Sequence, residues 1–274
     1  MSLLVIATAL CYAAALGGYA GFLATARRNL GRMATVLVGG GLVLHYLALL
    51  ERSRWENSVP YNDLYGSLSL FAWLLAATYL GLEMFHRERS AGALVMPLVL
   101  LIFLLSGFLP MPAPVPPQGL IAEGARWPLA LHITLNVLGY AAFALSFVWS
   151  LIYLIQNRLL RDHRLKNVVW RFPALEVLER MSRSSVLVGL ASLLVGVTFG
   201  LLLLNRQQGT YWSNDPKEIV TLVMFAVYAG YLWLGRTTAW RGARASALCV
   251  VNFLVVLFSY SVVNLYLSDF HRFF

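Results

Sequence analysis

The sequence predicts an all-α polytopic membrane protein of about eight transmembrane helices, with both termini outside. Three observations predict it. Hydrophobic residues make up 59% of the 274 and charged residues only 12%, against roughly 25% charged in a soluble domain. Apolar runs recur along the whole chain, and a bilayer core needs roughly 20 such residues per crossing. Lys and Arg concentrate in alternate loops, the bias that orients a chain in a membrane.

The spans fall at 2–24, 33–51, 65–85, 93–109, 128–156, 184–205, 219–236 and 245–268. Each is expected to be helical, because a backbone in lipid must satisfy its own hydrogen bonds. The first begins Met1-Ser2-Leu3-Leu4, and its nearest cations, Arg27 and Arg28, come after it. It is expected to be a retained helix and not a cleaved leader. The second carries His45. Arg87 and Arg89 separate the third from the fourth. The fourth runs into Pro110-Met111-Pro112-Ala113-Pro114-Val115-Pro116-Pro117, which predicts an extended loop. The fifth opens on His132. After it, the loop 157–183 holds Arg158, Arg161, Arg164, Lys166, Arg171, Arg180 and Arg183. Within that loop, Phe172 to Met181 mixes apolar and charged residues, predicting a short helix along the cytoplasmic interface. The whole of 1–274 reads as a single integral membrane domain.

With the N-terminus outside, most of the 21 Lys and Arg lie in cytoplasmic loops, leaving Arg52, Arg54, Arg126, Arg206, Lys217 and Arg272 on the outer side. The net charge of +9 therefore marks orientation and not a nucleic-acid partner. Cys11 and Cys249 lie in apolar runs, with no CxxC and no CxxCH. A dithiol redox site and covalent haem attachment are both excluded on that pattern.

The histidines carry the chemistry. His86 and His163 sit among cytoplasmic arginines. His45 lies within the second span, where an imidazole faces either a partner helix or a functional cavity. His132 and His271 are both expected at the outer surface. From His132 a polar stripe continues through Asn136, Gly139 and Tyr140. Back from His271 another runs through Ser268, Asn264, Tyr260 and Asn252. Each stripe occupies one helical face. Such stripes are either glue between helices or the lining of a site.

Between the sixth and seventh spans, also expected outside, lies Gln207-Gln208-Gly209-Thr210-Tyr211-Trp212-Ser213-Asn214-Asp215-Pro216-Lys217-Glu218. Asp215 suits an N-cap, Pro216 the first helical position and Glu218 the third. An interfacial belt accounts for Tyr211 and Trp212 alone. Two imidazoles at one depth beside aromatics suit a flat, apolar, metal-containing ligand, and haem is the candidate. His132 and His271 would ligate its iron axially. Arg126, Arg206, Lys217 or Arg272 would meet its propionates.

Tyr211 to Glu218 resembles the tryptophan-rich motif, roughly WGxYWxWDPKE, of the CcsA/ResC cytochrome c assembly family. Pro60 to Leu68 is similar to the family's early loop. His132 through Tyr140 and Phe143 resembles its HxxxxxxGYxxF helix, Trp240 to Arg244 its WRGRR loop, and Asn264 to His271 its closing NxxLSGLHSY. The likeness spans most of the chain in the same order. It implies non-covalent b-type haem at an outer-facing site, with His132 and His271 as axial ligands and Tyr211, Trp212, Asp215 and Pro216 packing on the haem. It also implies haem delivery to apocytochrome c at the cell's inner (plasma) membrane, with a separate ResB-type partner.

The chain departs from the family at four places. Gln208 and Asn214 stand at two tryptophan positions, Gly66 at a glutamate position, and Trp233 at an intramembrane histidine that the resemblance links to haem passage. His45 is a possible intramembrane ligand in its place. The departures support an alternative: a non-catalytic factor similar to the HemX or YpjD proteins and linked to haem-pathway regulation or assembly. A transporter of another solute would call for broken helices and inverted repeats, and neither is evident. No general base is apparent, so the chain is expected to be at most a subunit of a membrane cytochrome c synthase.

Overall fold

The computed structural model describes residues 2–56, 64–108, 126–162, 172–212, 216–237 and 240–262. Among them the regular elements are eight helices: α1 Leu3–Thr25, α2 Arg28–Glu56, α3 Leu64–His86, α4 Gly92–Phe108, α5 Arg126–Arg161, α6 Leu175–Gln208, α7 Pro216–Leu234 and α8 Ala243–Val262. Five are long and apolar enough to cross a membrane, and three shorter apolar helices accompany them. The chain is a multi-pass membrane protein.

The helices overrun the apolar spans at their polar ends. α2 begins at Arg28 and α5 continues to Arg161. Leu175–Met181, expected as part of a separate interfacial helix, forms the first two turns of α6. Its Glu, Leu and Arg residues are good helix formers, so the helix continues without a break beyond the hydrocarbon. α4 keeps Pro97 in its interior, a residue that membrane helices tolerate.

The ends are locally encoded. Ser2 caps α1, its Oγ accepting from the Leu4 N–H at 3.2 Å. α1 stops at Ala26, whose left-handed backbone lets its N–H bond the Phe22 carbonyl. α6 stops at Gly209, with φ +69°, whose N–H bonds Asn205 O at 2.9 Å.

The chain divides into two compact units, residues 1–118 with 159–177, and residues 119–158 with 178–274. In the first, α1 touches α2, α2 touches α3, α3 touches α4 and α4 touches α1. Small residues let α1 and α2 approach closely. A Cβ at Gly41 would lie 2.6 Å from the Tyr12 ring, and one at Gly18 would lie 3.0 Å from Ala34 Cβ. Within this core Glu83 is almost fully buried and accepts from Tyr19 Oη and from Tyr79 Oη at 2.6 Å. Thr35 Oγ1 shares its proton between Glu83 and Gly31 O.

In the second unit α5 and α6 run antiparallel. Residue 139 meets 189, 136 meets 196 and 132 meets 200. A buried polar knot joins four helices: Ser146 Oγ lies 2.9 Å from Ser182 Oγ and 2.8 Å from Cys249 Sγ, and Tyr231 Oη lies 3.3 Å from Ser182. Phe143 of α5 stacks flat on Tyr228 of α7, ring centroids 4.0 Å apart.

Candidate functional site

His132 stands in the second turn of α5, half-buried against α6. Two glycines of α6 make room for it. A Cβ at Gly200 would lie 2.5 Å from His132 Cε1 and 2.6 Å from Nδ1, and one at Gly196 would lie 2.9 Å from Asn136 Oδ1. The two glycines are one turn apart, so they form a single trough facing His132 and Asn136, themselves one turn apart on α5.

The trough sets the tautomer. His132 Nδ1 lies 2.7 Å from the Gly196 carbonyl oxygen. A carbonyl only accepts, so Nδ1 carries the proton and donates. In the neutral ring the lone pair then sits on Nε2. Asn136 Nδ2 lies 3.1 Å from Nδ1 and 3.4 Å from Nε2. An amide nitrogen donates, so with the proton on Nδ1 only the longer contact is a hydrogen bond, and the Gly196 carbonyl alone sets the tautomer. Metal-binding imidazoles are oriented in this way, one nitrogen held by a backbone carbonyl and the other carrying the lone pair. Asn136 Oδ1 is buried and has no hydrogen-bond partner among the described residues.

The aromatic loop leaves the same end of the α5–α6 pair. Gln208 ends α6 eight residues beyond Gly200, a rise of about 12 Å. Thr210 Oγ1 accepts from the Trp212 N–H at 3.2 Å, which ties the turn. Tyr211 and Trp212 are both exposed. Arg206 occupies the last turn of α6, and Arg126 opens α5. Nearby, Trp127 meets Phe199 edge-on at 6.1 Å. Pro216 is the first residue of α7. Asp215, His271 and Arg272 lie outside the described residues, as does the Asn264 end of the second polar stripe. A groove between α7 and α8 is lined by Ile219, Val223, Tyr228, Asn252 and Val256 among others, while nearer the turn that joins the two helices Tyr231 and Cys249 both reach Ser182. The two helices are therefore antiparallel, and α8 runs toward the end at which α7 begins. Asn252 is buried in that groove, and its Nδ2 has no partner among the described residues.

His45 belongs to the first unit and is fully buried. Its Nδ1 lies 3.2 Å from Tyr12 Oη and its Nε2 lies 2.9 Å from Ser69 Oγ. The Phe103 ring packs edge-on at 4.6 Å. Both nitrogens are engaged with neighbouring helices. Trp233, at the position of the family's intramembrane histidine, is 68% exposed on α7.

The residues present suit haem. Among the described residues no three His, Cys, Asp or Glu side chains gather as metal ligands. His132 offers an Nε2 lone pair, and the loop offers exposed aromatic faces. The sequence reading missed the trough of Gly196 and Gly200. Its only signal was the pair of glycines four apart in an apolar span. It also missed Glu83, a carboxylate inside the third span.

A family described as Cytochrome C assembly protein matches residues 61–271 of this chain. A cytochrome c biogenesis protein CcsA of Guillardia theta is 30% identical over 240 residues, covering 80% of this chain and 78% of that protein. A CcsA of Chlamydomonas reinhardtii is also 30% identical, over 89% of this chain and 70% of its own. One of Prochlorococcus marinus is 28% identical over 85% and 81%.

Proposed function

The chain belongs to the cytochrome c assembly protein family, with a role in cytochrome c biogenesis, and from that premise we propose that it binds haem at the outer face and presents it to apocytochrome c. The observation that carries this reading is the orientation of His132, whose Nδ1 bonds Gly196 O and whose Nε2 keeps the lone pair. His132 and His271 would be the axial ligands of a non-covalent, b-type haem. Trp212, Tyr211, Asp215 and Pro216 would pack on it, and Arg126 and Arg206 would meet its propionates. Haem brings the vinyl groups to which a CxxCH peptide attaches. The protein's own residues orient, shield and anchor it. Apocytochrome c and a ResB-type membrane subunit are the proposed partners, and the inner (plasma) membrane is the proposed location.

A second reading has a specific observation behind it. Trp233 is largely exposed where the family's histidine would stand, and Gln208 replaces a family tryptophan. Both fit a non-catalytic HemX/YpjD-like membrane factor linked to haem-pathway regulation or assembly.

The absorption spectrum of the purified chain, before and after reduction, tests the proposal. A Soret band with a low-spin, bis-histidine spectrum is expected. His132→Ala and His271→Ala should each remove the low-spin signature, and the double variant should remove the Soret band. A colourless protein from haem-replete cells would overturn it. If haem is bound yet cytochrome c matures normally after deletion of the gene, the second reading holds.

A further inference from the structure

We infer that the cavity lined by Arg28, Arg32, Arg87 and Arg89 is a phosphate site filled by a phospholipid headgroup. This is independent of haem binding. The cavity measures about 330 Å³, and Phe22 and Glu88 complete its lining. Its arginines come from the first two turns of α2, Arg28 and Arg32, and from the α3–α4 loop, Arg87 and Arg89.

An inward bias of positive charge accounts for arginines at this end of the unit. It does not account for their convergence on one concavity, where like charges repel. The convergence is built. Arg89 Nε lies 3.6 Å from Glu83 Oε1 and donates to Thr35 Oγ1 at 3.2 Å, and Tyr19 and Tyr79 hold Glu83 in turn. A Cβ at Gly31 would lie 3.0 Å from Arg89 Cδ and 3.2 Å from the Phe22 ring. A glycine there lets both side chains lie against α2. Arg87 adopts a left-handed backbone, φ +57°, which a side-chain-bearing residue rarely takes.

The charge is not cancelled. Glu88 Oε1 accepts from the Ser90 N–H at 3.0 Å and from its Oγ. Arg28, Arg32 and Arg87 form no ion pair among the described residues. Four guanidinium groups against Glu83 and Glu88 leave a formal surplus of two positive charges. The N-terminus of α2, which opens at Arg28, adds its own partial positive charge. Planar guanidinium groups match phosphate oxygens in pairs.

Position selects the source. The cavity lies where α1 and α3 end and α2 and α4 begin, the depth at which headgroups meet the hydrocarbon. Phe22 gives it one apolar wall, suited to the glycerol side of a lipid. A cavity of this size is at the small end of ligand sites, which fits a headgroup better than a larger cofactor.

The test titrates the purified full chain in non-ionic detergent with phosphatidylglycerol, phosphatidylcholine or sodium phosphate, and follows binding by native mass spectrometry. Phosphatidylglycerol is expected to bind at least about tenfold tighter than phosphatidylcholine, roughly one decade in Kd. The triple variant Arg28→Gln, Arg32→Gln, Arg87→Gln should erase that preference. Arg158→Gln, Arg161→Gln, Arg236→Gln removes the same charge from exposed positions elsewhere and should keep it. Equal loss in both triple variants, or no loss in either, overturns the site. Tight binding of sodium phosphate with no preference between the lipids overturns the headgroup and leaves a soluble phosphate as the ligand. Without lipid, the pocket variant should melt no lower than the unsubstituted chain, because repulsion is relieved. If it fails to fold, Arg32→Gln alone repeats the comparison, with a smaller loss expected.

Discussion

His45 and His132 are both imidazoles inside apolar helices, and their surroundings separate them. His45 is sealed in the first unit, with one nitrogen on Tyr12 and the other on Ser69. His132 is half-buried in the second unit, its Nδ1 fixed by a backbone carbonyl. A ligand approaching His45 must break an interhelical hydrogen bond and displace Phe103. At His132 the carbonyl holds the proton on Nδ1 and keeps the lone pair on Nε2. A histidine within a span is therefore not diagnostic of a site. The partner of each nitrogen is what distinguishes a strut from a ligand.

The largest way to break this contrast is to fill the trough beneath His132. Gly200→Val places a side chain where a single Cβ already lies 2.5 Å from the imidazole. The ring must leave Gly196 O, and overpacking costs about 1–3 kcal/mol. The purified variant should lose the low-spin signature while keeping a Soret band, as expected for His132→Ala. Gly40→Val is the control, since a Cβ there meets nothing within 4 Å. An unchanged low-spin spectrum in Gly200→Val would mean that the trough does not orient the ligand.

Much of the architecture was legible because the bilayer imposes it. Apolar length locates each crossing, and all eight helices appear where the spans were drawn. Helix ends were less legible. Hydropathy marks the hydrocarbon and not the last backbone hydrogen bond, so the Leu175–Met181 turns of α6 read as a separate surface helix. At the site, the stripe from His132 to Asn136 could be read from helical spacing. The Gly196 carbonyl could not, because every residue has one and only packing 64 positions away selects it. Glu83 was open to inspection as the lone charge of its span, near the span's C-terminal end. Its partners Tyr19, Thr35 and Arg89 lie on three different segments, and no periodicity links them.

A smaller effect is expected from His45→Ala, and it sharpens the same comparison. The substitution removes two interhelical hydrogen bonds and leaves a cavity beside Phe103. Core truncations cost about 2–5 kcal/mol, and hydrogen bonds within membranes add modestly to this. Reversible unfolding in mixed detergent should show a loss of about 2 kcal/mol, at the low end of that range. Haem absorbance per folded chain should stay unchanged. Loss of the haem spectrum with stability intact would reverse the roles assigned to the two imidazoles.

The smallest effect is expected from Trp233→His, which restores the family's intramembrane histidine. The residue is 68% exposed on α7, so the exchange should cost less than about 1 kcal/mol. An imidazole becomes a haem ligand when a neighbour fixes its tautomer and the surroundings hold the ring, as Gly196 O and the glycine trough do for His132. At position 233 the side chain is 68% exposed, so no such cradle surrounds it. The ratio of haem to protein should therefore match the unsubstituted chain. An added haem equivalent, with a second ligand-field signature, would show that an intramembrane pocket is already formed around this position and lacks only its histidine. That outcome would move the chain from the HemX/YpjD-like reading toward a delivery pathway that crosses the membrane.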